Sequence, residues 1–313
     1  MATYTKLLDT DIQKIAKKYQ LNVVKYEPIE QGAGNTNYFL VTDQGKYILT
    51  IFEVDDSQVI NMTRVLIMLE ELKFPALPLH KNSTGDILTK YKRKFVMVRP
   101  FISGSVVKDL DFGMIKQVGN SLARLHEISP PDYLPVIHPY EKYLLIEILE
   151  QKIDNDYKRW VKDKYRSIEV NTPPNLPVGL AHGDLFLDNM LFENGILKAI
   201  IDFEDLCQIA RILDLGMTAV GICINGVDLD IRKIKALVKG YQEVITMEAA
   251  EKEFLQMSIE WGAMMTSIWR FWNYNINMPD EAKSKHYMKM VEIAENTHLI
   301  QADTFMSLIF PPG

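Results

Sequence analysis

The side chains best suited to chemistry lie close together in the middle of the chain. Residues 182–189 read His-Gly-Asp-Leu-Phe-Leu-Asp-Asn, and an apolar run shortly afterwards ends in Asp202. Phosphoryl transfer needs a carboxylate that accepts or orients the proton of the attacking hydroxyl, and oxygen ligands that hold a metal ion on the phosphates. We therefore assign Asp184 as the catalytic base and predict Asn189 and Asp202 as metal ligands. We expect His182 to brace the loop through hydrogen bonds and not to react.

An Asn-Gly pair predicts how the two metal ligands come together. Asn194 and Gly195 separate two apolar runs, which is the strongest short signal for a β-hairpin. Counting outward from this turn pairs Asn189 with Ile200 and brings Asp202 to about 7–8 Å from Asn189, the diagonal cross-strand distance. A carboxylate and an amide at that separation can share one Mg²⁺, which takes oxygen ligands and keeps several waters. The alternative is a solvated surface loop rich in Asp and Asn, which leaves the flanking strands and the turn unexplained.

The elements around this motif predict two lobes of different type. With 313 residues, the chain is longer than one ordinary core requires. Short strands with alternating apolar residues dominate up to residue 98, helical periodicity dominates after residue 104, and the segment between them contains Pro100 and Gly104. We therefore predict an α+β, bilobal fold. It comprises a small β-rich N-terminal lobe over residues 1–98, a hinge over 99–104 and a larger, mainly helical C-terminal lobe over 105–313.

Composition and charge argue against several other classes of protein. The net charge of −6 does not favour nucleic acid, which attracts basic surfaces. Cys207 and Cys223 are the only cysteines, so no disulfide framework is expected and a reducing compartment is the default. The first residues lack a signal-peptide pattern, and the longest nearly uncharged run, residues 215–227, is too short to span a bilayer. We expect a cytoplasmic monomer or homodimer without nucleic-acid or membrane partners.

The other histidines have no metal-ligand spacing and are interpreted as structural or surface residues. They are His80, His126, His138, His286 and His298.

The motif at residues 182–189, together with Ile-Ile-Asp-Phe at 200–203, resembles the signature of the aminoglycoside phosphotransferase/choline kinase superfamily, whose fold is protein-kinase-like. The resemblance covers the whole chain in order. Residues 32–39 (Gly-Ala-Gly-Asn-Thr-Asn-Tyr-Phe), 47–53 (Tyr-Ile-Leu-Thr-Ile-Phe-Glu) and 184–189 are most similar to bacterial homoserine kinases of that fold. The resemblance implies ATP- and Mg²⁺-dependent phosphorylation of a hydroxyl on a small molecule. Homoserine is the leading acceptor, and choline, ethanolamine or an aminoglycoside is the alternative.

The resemblance also implies where the nucleotide binds. A glycine-bearing loop between the first two strands would cover the phosphates, and the hinge would lie beside the adenine, mainly through backbone groups. The implied nucleotide-binding residues are Gly32, Gly34, Asn35, Thr36, Asn37, Thr50, Arg99, Phe101 and Ile102. A Gly-x-Gly sequence alone is a weak signal, because an ordinary hairpin turn has the same pattern.

One position departs from the kinase pattern. Kinase-like folds usually carry a Lys on the third strand that contacts the phosphates and pairs with a helix Glu, whereas this chain has Thr50 there. Lys46 is on the same face of the strand but about 13 Å away, and Glu70, which aligns with the helix Glu, would lack its usual partner. The cation that contacts the phosphates is therefore unassigned. A nucleotide-binding pseudokinase without transfer activity stays an alternative.

The acceptor in this superfamily is bound by the helical lobe, and residues 261–274 are the candidate stretch. A homoserine carboxylate would need a cation, and its ammonium would need an acid; choline would instead favour an aromatic cage, and an aminoglycoside several carboxylates. The candidate acceptor-binding residues are Glu204, Asp205, Trp269 and Arg270, and Trp261, Trp272 and Tyr274 are further members of a cage. Aromatic residues at helical spacing are also common in protein cores, so this assignment competes with a purely structural one.

Overall fold

The structure is a computed structural model that describes residues 5–29, 34–151 and 155–311. These residues form two compact units. The first contains the chain up to Gly104 together with Lys198–Glu204, and the second contains Ser105–Leu197 and the chain from Asp205 onwards. The first unit carries an antiparallel sheet and the second is mainly helical, so the predicted α+β class is confirmed.

The first unit is built around a five-stranded antiparallel sheet. It contains, in chain order, α1 (Asp9–Lys18), β1 (Val23–Ile29), β2 (Thr36–Thr42), β3 (Gly45–Ile51), α2 (Asp56–Glu71), β4 (Leu88–Tyr91) and β5 (Lys94–Pro100). The strands lie in the order β1-β2-β3-β5-β4. Apolar alternation and turn residues predict these strands well, because neighbours in the sheet are mostly neighbours in the chain.

The register of the strands gives the two faces of this sheet different roles. Tyr38, Leu49 and Val98 pair across β2, β3 and β5 and belong to a core that includes the apolar residues of α1. Since side chains alternate along a strand, the residues between them lie on the opposite face. That opposite face carries two rows of paired residues: Asn37, Thr50 and Met97, and Phe39, Ile48 and Arg99.

Lys198–Glu204 clusters with the first unit, although we predicted the whole of 105–313 in the C-terminal lobe. Two hydrogen bonds account for this difference. The Ile200 N–H donates to the Pro75 carbonyl over 2.7 Å, and the Gln58 side chain donates to the Glu204 carbonyl over 2.9 Å. The segment that carries Asp202 therefore belongs to the same compact unit as the sheet.

The second unit is mainly helical. It contains, in chain order, α3 (Phe112–His126), a π-helical turn (Tyr140–Leu145), α4 (Ile146–Glu150), α5 (Asn155–Asn171), β6 (Val178–Ala181), a 3-10 turn (Leu187–Asn189), β7 (Met190–Glu193), β8 (Ile196–Ile200, which runs on into the first unit), β9 (Cys207–Ala210), α6 (Arg211–Ile222), β10 (Ile224–Asn225), β11 (Asp228–Leu229), α7 (Ile231–Gln242), α8 (Ala249–Trp272), a second π-helical turn (Asn273–Asn277), α9 (His286–His298) and α10 (Ala302–Ile309). Strand β6 pairs with β9, and β7 pairs with β8. The predicted catalytic motif, residues 182–189, therefore lies in the chain between β6 and β7, which belong to two different two-stranded sheets.

Helix α8 lies in the core of the second unit. Residues 258–268 are all buried, as expected for a helix that is apolar on every side. The charged residue of this buried stretch is Glu260. Its carboxylate lies 2.9 Å from the ammonium of Lys164, in keeping with the rule that buried charges are paired. Among the described residues, none of the helices combines the length and the apolar character needed to cross a membrane.

Candidate active site

The loop between β6 and β7 holds the predicted base. Strand β6 ends at the buried Ala181, and His182 follows with its side chain fully buried. The backbone N–H of Asp184 donates to Nδ1 of His182 over 3.3 Å. His182 therefore braces the loop through hydrogen bonds, as predicted from the sequence.

Asn189 holds Asp184 from the other end of the loop. Its Nδ2 donates to the Asp184 carbonyl over 2.7 Å and to the Asp184 carboxylate over 3.2 Å. The backbone N–H of Asn189 in turn donates to the carbonyl of Phe186 over 3.0 Å. Both of these contacts with Asp184 use the amide nitrogen, so they do not occupy the amide oxygen, which is the atom able to bind a cation.

The Asn-Gly turn forms where the sequence predicts it. Strands β7 and β8 pair as a two-stranded hairpin, and Asn194 and Gly195 both have positive φ, 52° and 77°, as a type I′ turn requires. Gln117 of α3 holds the turn, since its Nε2 donates to the Gly195 carbonyl and its Oε1 accepts from the Leu197 N–H. The hairpin is confirmed, while the sharing of one metal by Asn189 and Asp202 stays a prediction.

Asp214, near the start of α6, fixes the backbone of the loop that carries Asp184. This role was not predicted from the sequence. Its buried carboxylate accepts hydrogen bonds from the backbone N–H groups of His182 and Gly183, 2.8 and 3.0 Å away, and from Nε2 of His126 at 3.0 Å. Burial by itself would raise the pKa of this carboxyl, but the donors, His126 first among them, hold the pKa below its ordinary value. The available signal was a lone carboxylate in the apolar run Ile212–Gly216, because a buried charge needs partners.

His138 supports the same loop from the other side. Its Nε2 donates to the Gly183 carbonyl over 2.9 Å, and its Nδ1 accepts from the Tyr140 N–H over 3.2 Å. Burial lowers the pKa of His138, which fits the neutral ring that these two bonds require. Gly183 has φ 84°, and a Cβ there would stand 2.6 Å from the Asp205 carbonyl oxygen, so the loop needs glycine at this position.

Asp205 and a group of aromatic rings form the first part of the predicted acceptor site. The Tyr140 hydroxyl donates to the Asp205 carboxylate over 2.9 Å. Burial raises the pKa of Asp205 to about 6, and the bond from Tyr140 partly offsets this rise. The Tyr140 ring lies 6.5 Å from that of Trp269, which lies 6.0 Å from that of Tyr274. A half-buried acid and three aromatic rings therefore lie together in the second unit.

Arg270 lies within electrostatic range of the predicted base. Its guanidinium donates to the His286 carbonyl over 3.4 Å. Burial lowers the pKa of Arg270, while Tyr274 and the carboxylates of Asp184 and Asp188 oppose that shift. Arg270 and Asp184 therefore influence each other electrostatically within the second unit, and the role of Arg270 in binding an acceptor stays a prediction.

Two aromatic residues proposed for a cage face elsewhere. Trp261 is buried against the imidazole of His138, with ring centroids 5.4 Å apart. The Trp272 ring N–H donates to the Glu147 carboxylate over 2.6 Å. The expectation of a cage that includes these two residues is corrected to a smaller aromatic group around Trp269, because Trp261 and Trp272 are committed to structural contacts.

Three of the nine predicted nucleotide-binding residues lie on one face of the first unit's sheet. Asn37, Thr50 and Arg99 are on the face opposite the α1 core, and the Thr50 hydroxyl donates to Oδ1 of Asn37 over 2.7 Å. Phe101 follows β5 and packs edge to face on Phe39, with centroids 5.3 Å apart. Gly32 lies outside the described residues, and Gly34 and Ile102 lie in loops that flank β2 and follow β5.

Thr36 is separated from that group by the register of the sheet. It pairs with Ile51 on the α1 side, and its hydroxyl donates to the Glu53 carboxylate over 2.7 Å. Asn35 accepts from the Glu53 N–H over 3.0 Å, and its amide nitrogen donates to Glu204. Glu204, predicted to bind an acceptor ammonium, is thus hydrogen-bonded within the first unit, whereas Asp205 belongs to the second.

Asp202 lies in the first unit with an unusual backbone. Its φ of 65° is in the left-handed region, which is uncommon outside glycine and recurs at functional sites. Its carboxylate acts on Arg99: burial lowers the pKa of Arg99 to about 10, and Asp202 opposes that shift. The predicted metal ligand and a cation of the sheet therefore influence each other within one unit.

The class of protein is a phosphotransferase with a kinase-like fold. The profile of the phosphotransferase enzyme family matches residues 25–251. The chain therefore belongs to this family, and the predicted enzyme class, a small-molecule kinase, is confirmed.

Relatives agree with this assignment, and a solved structure shares the fold, over nearly the whole chain. A homoserine kinase of Bartonella tribocorum is 24% identical over 296 residues, which cover 90% of this chain and 91% of the relative. A homoserine kinase of Caulobacter vibrioides is 27% identical over 283 residues, covering 84% and 87%. A microcompartment-associated aminopropanol kinase superposes with a TM-score of 0.74 at 15% identity, covering 96% and 99%. The resemblance stated from the motifs is confirmed.

Proposed function

We propose that this protein transfers the terminal phosphoryl group of ATP to the hydroxyl of homoserine. The family assignment supports phosphoryl transfer, and relatives of similar length bear the name homoserine kinase. The observation that carries the choice of acceptor is the Arg270 cation within electrostatic range of the Asp184 carboxylate. An amino acid with a side-chain hydroxyl presents a carboxylate to such a cation and its hydroxyl to the base.

Asp184 is the proposed base. Asn189 donates two hydrogen bonds to it, and Asp214 and His138 fix the loop before it. This fixed orientation reduces the entropy lost when the acceptor hydroxyl aligns with the phosphate. The Asp184 carboxylate then accepts the hydroxyl proton as the oxygen attacks the γ-phosphorus, and the bond from that phosphorus to the β-phosphate oxygen breaks to release ADP.

Asn189 and Asp202 are the proposed Mg²⁺ ligands. An amide oxygen and a carboxylate are suitable donors for this cation, and the Asn189 oxygen is the end of the amide that does not face Asp184. When bound, Mg²⁺ would neutralise charge on the nucleotide phosphates. Asn189 thus has two tasks, since its nitrogen orients the base and its oxygen is available for the metal.

Asp205 is proposed to bind the acceptor ammonium. Asp205 is half-buried, and the Tyr140 hydroxyl donates to its carboxylate over 2.9 Å. Burial raises the pKa of Asp205, so an ammonium ion beside it would favour the ionised acid. Arg270 would bind the carboxylate of an amino acid, and Asp205 would bind its ammonium group.

The test is ADP release by the purified protein with ATP, Mg²⁺ and separate acceptors: homoserine, choline, ethanolamine, 1-amino-2-propanol and an aminoglycoside. Homoserine is expected to give the highest kcat/KM. Turnover of ethanolamine or choline alone would replace the acceptor assignment and keep the kinase. No transfer to any acceptor, together with unchanged behaviour of Asp184→Ala, would favour the pseudokinase.

The runner-up acceptor is choline or ethanolamine. The aromatic group of Tyr140, Trp269 and Tyr274 beside Asp205 favours it, because aromatic faces attract quaternary and primary ammonium groups. Trp269→Ala distinguishes the two candidates, with Trp272→Ala as the matched control. A cage function predicts loss of choline turnover only in the first variant.

A further inference from the structure

A kinase site needs a cation on the nucleotide phosphates, and the usual strand position lacks one here. Thr50 occupies that position, and its hydroxyl donates to Asn37 over 2.7 Å. A hydroxyl cannot replace an ammonium as a counter-charge for a triphosphate. A cation elsewhere on the same face of the sheet would be needed.

The register of β3 and β5 brings Arg99 to that face. Ile48 pairs with Arg99, and Thr50 is two residues beyond Ile48, so the side chains of Arg99 and Thr50 start from the same side of the sheet. Asn37, paired with Thr50, lies on that side as well. The long stem of an arginine allows its guanidinium to act at some distance from its own Cα.

Exposure and position in the sheet distinguish Arg99 from Lys46, the other cation considered for this face. Lys46 is exposed, and its ammonium lies over the Phe39 ring, 6.0 Å from the centroid. Arg99 is partly buried, and the Asp202 carboxylate raises its pKa against the effect of burial. Along β3, Lys46 is four residues from Thr50, whereas Ile48, the partner of Arg99, is two residues from it, so Arg99 starts closer to the usual position of the cation.

We propose that the Arg99 side chain supplies the phosphate-binding cation that kinase-like folds usually take from a third-strand lysine. This inference rests on the proposed ATP-dependent function, and it assigns the Arg99 side chain a role beyond the backbone contacts expected of the hinge. The guanidinium binds the β- and γ-phosphates and positions them beside Asp202. It is a planar, permanently charged donor, which suits phosphate oxygens.

The test is calorimetric titration of the full-length protein with ATP·Mg²⁺ and with adenosine, in the absence of any acceptor. Arg99→Met is expected to weaken ATP binding about 10- to 100-fold and adenosine binding less than about twofold, because adenosine has no phosphate. Lys46→Met is the matched control and should leave both affinities within about twofold. Arg99→Lys keeps the charge and should recover part of the ATP affinity.

Relocating the charge gives a second measurement. In the double variant Thr50→Lys/Arg99→Met, a lysine returns to the usual strand position and should restore ATP affinity relative to Arg99→Met. Equal losses of ATP and adenosine affinity, or an unchanged ATP affinity in Arg99→Met, would overturn the assignment. If Arg99→Met does not fold, Arg99→Lys decides: an unchanged ATP affinity with weaker adenosine binding contradicts the proposal. Failure of the wild type to bind ATP would instead overturn the proposed function itself.

Discussion

The carboxylate of Asp214 accepts a hydrogen bond of 2.8 Å from the backbone N–H of His182. A carboxylate at the start of α6 thereby fixes the backbone two residues before the proposed base. The same carboxylate serves Gly183 and the imidazole of His126. An asparagine at 214 would remove the charge and turn an amide NH₂ group toward at least one existing donor.

Asp214→Asn should lower the free energy of unfolding by about 2–4 kcal/mol, because a buried network loses its charged acceptor. It should also lower kcat, since the loop that carries Asp184 becomes less ordered. Urea unfolding and steady-state kinetics measure the two effects. The exposed Asp163 provides the control, and Asp163→Asn should change stability by less than about 0.5 kcal/mol. Wild-type stability and kcat in Asp214→Asn would contradict this role.

His138 makes stability depend on pH. Burial lowers its pKa below the ordinary value of 6.5, while Gly183, Asp214 and Glu141 oppose the shift. The unfolded chain therefore takes up a proton at His138 that the folded chain does not bind. The free energy of unfolding should fall as the pH drops below about 6.5, by at most ~1.4 kcal/mol per pH unit from this group.

His138→Gln removes this contribution and keeps a side-chain N–H that can donate to Gly183. The difference in unfolding free energy between the wild type and the variant should therefore shrink from pH 7 to pH 5. Chemical denaturation at a series of pH values measures this difference. A difference that is constant over that range would mean that His138 is protonated equally in both states.

Asp184→Asn separates base from metal ligand. We expect kcat to fall by about 10²–10⁴-fold, because the variant cannot accept the hydroxyl proton, and ATP affinity to stay within about threefold. Rapid-quench kinetics and calorimetry measure the two quantities. Asp188→Asn, in the same loop and exposed, is the control and should retain turnover within about threefold. A large loss of ATP affinity in Asp184→Asn would make Asp184 a metal ligand.

Arg270 should bind the carboxylate of the acceptor, and Asp205 should bind its ammonium group. Arg270→Ala is expected to raise the KM for homoserine more than about 10-fold and leave the KM for ethanolamine, which has no carboxylate, unchanged. Asp205→Asn should raise the KM for both amines. Initial rates at saturating ATP measure these values. An unchanged homoserine KM in Arg270→Ala would remove the structural support for an amino-acid acceptor.

The features predictable from the sequence are those set by neighbouring residues. The strands of the first unit, the Asn194-Gly195 turn and the bracing role of His182 follow from alternation, turn chemistry and spacing. Asp214 was not predictable in the same way, because its partners include His126, 88 residues away in the chain. Such a contact depends on how helices pack and leaves only a weak local trace.

The acceptor residues and the faces of the sheet illustrate the same limit. Tyr140 and Asp205 meet only because the second unit folds, and they are 65 residues apart in the chain. Thr36 and Asn37 are adjacent in β2, so the alternation of side chains puts them on opposite faces of the sheet. The sequence supplies the alternation, but the structure determines which face carries the core.

The two π-helical turns bear on how the acceptor site could change by insertion and deletion. Tyr140 begins one of them, and Tyr274 lies in the other, five residues after Trp269. A π-helical turn closes its hydrogen bonds over five residues and not four, so it contains one residue more than the corresponding α-helical turn. Deleting one residue there would remove the extra residue and restore the α-helical repeat, and the adjoining helix would keep its orientation. A single-codon deletion at either turn would therefore change the position of Tyr140 or Tyr274 relative to Trp269 while the adjoining helix, α4 or α8, keeps its place.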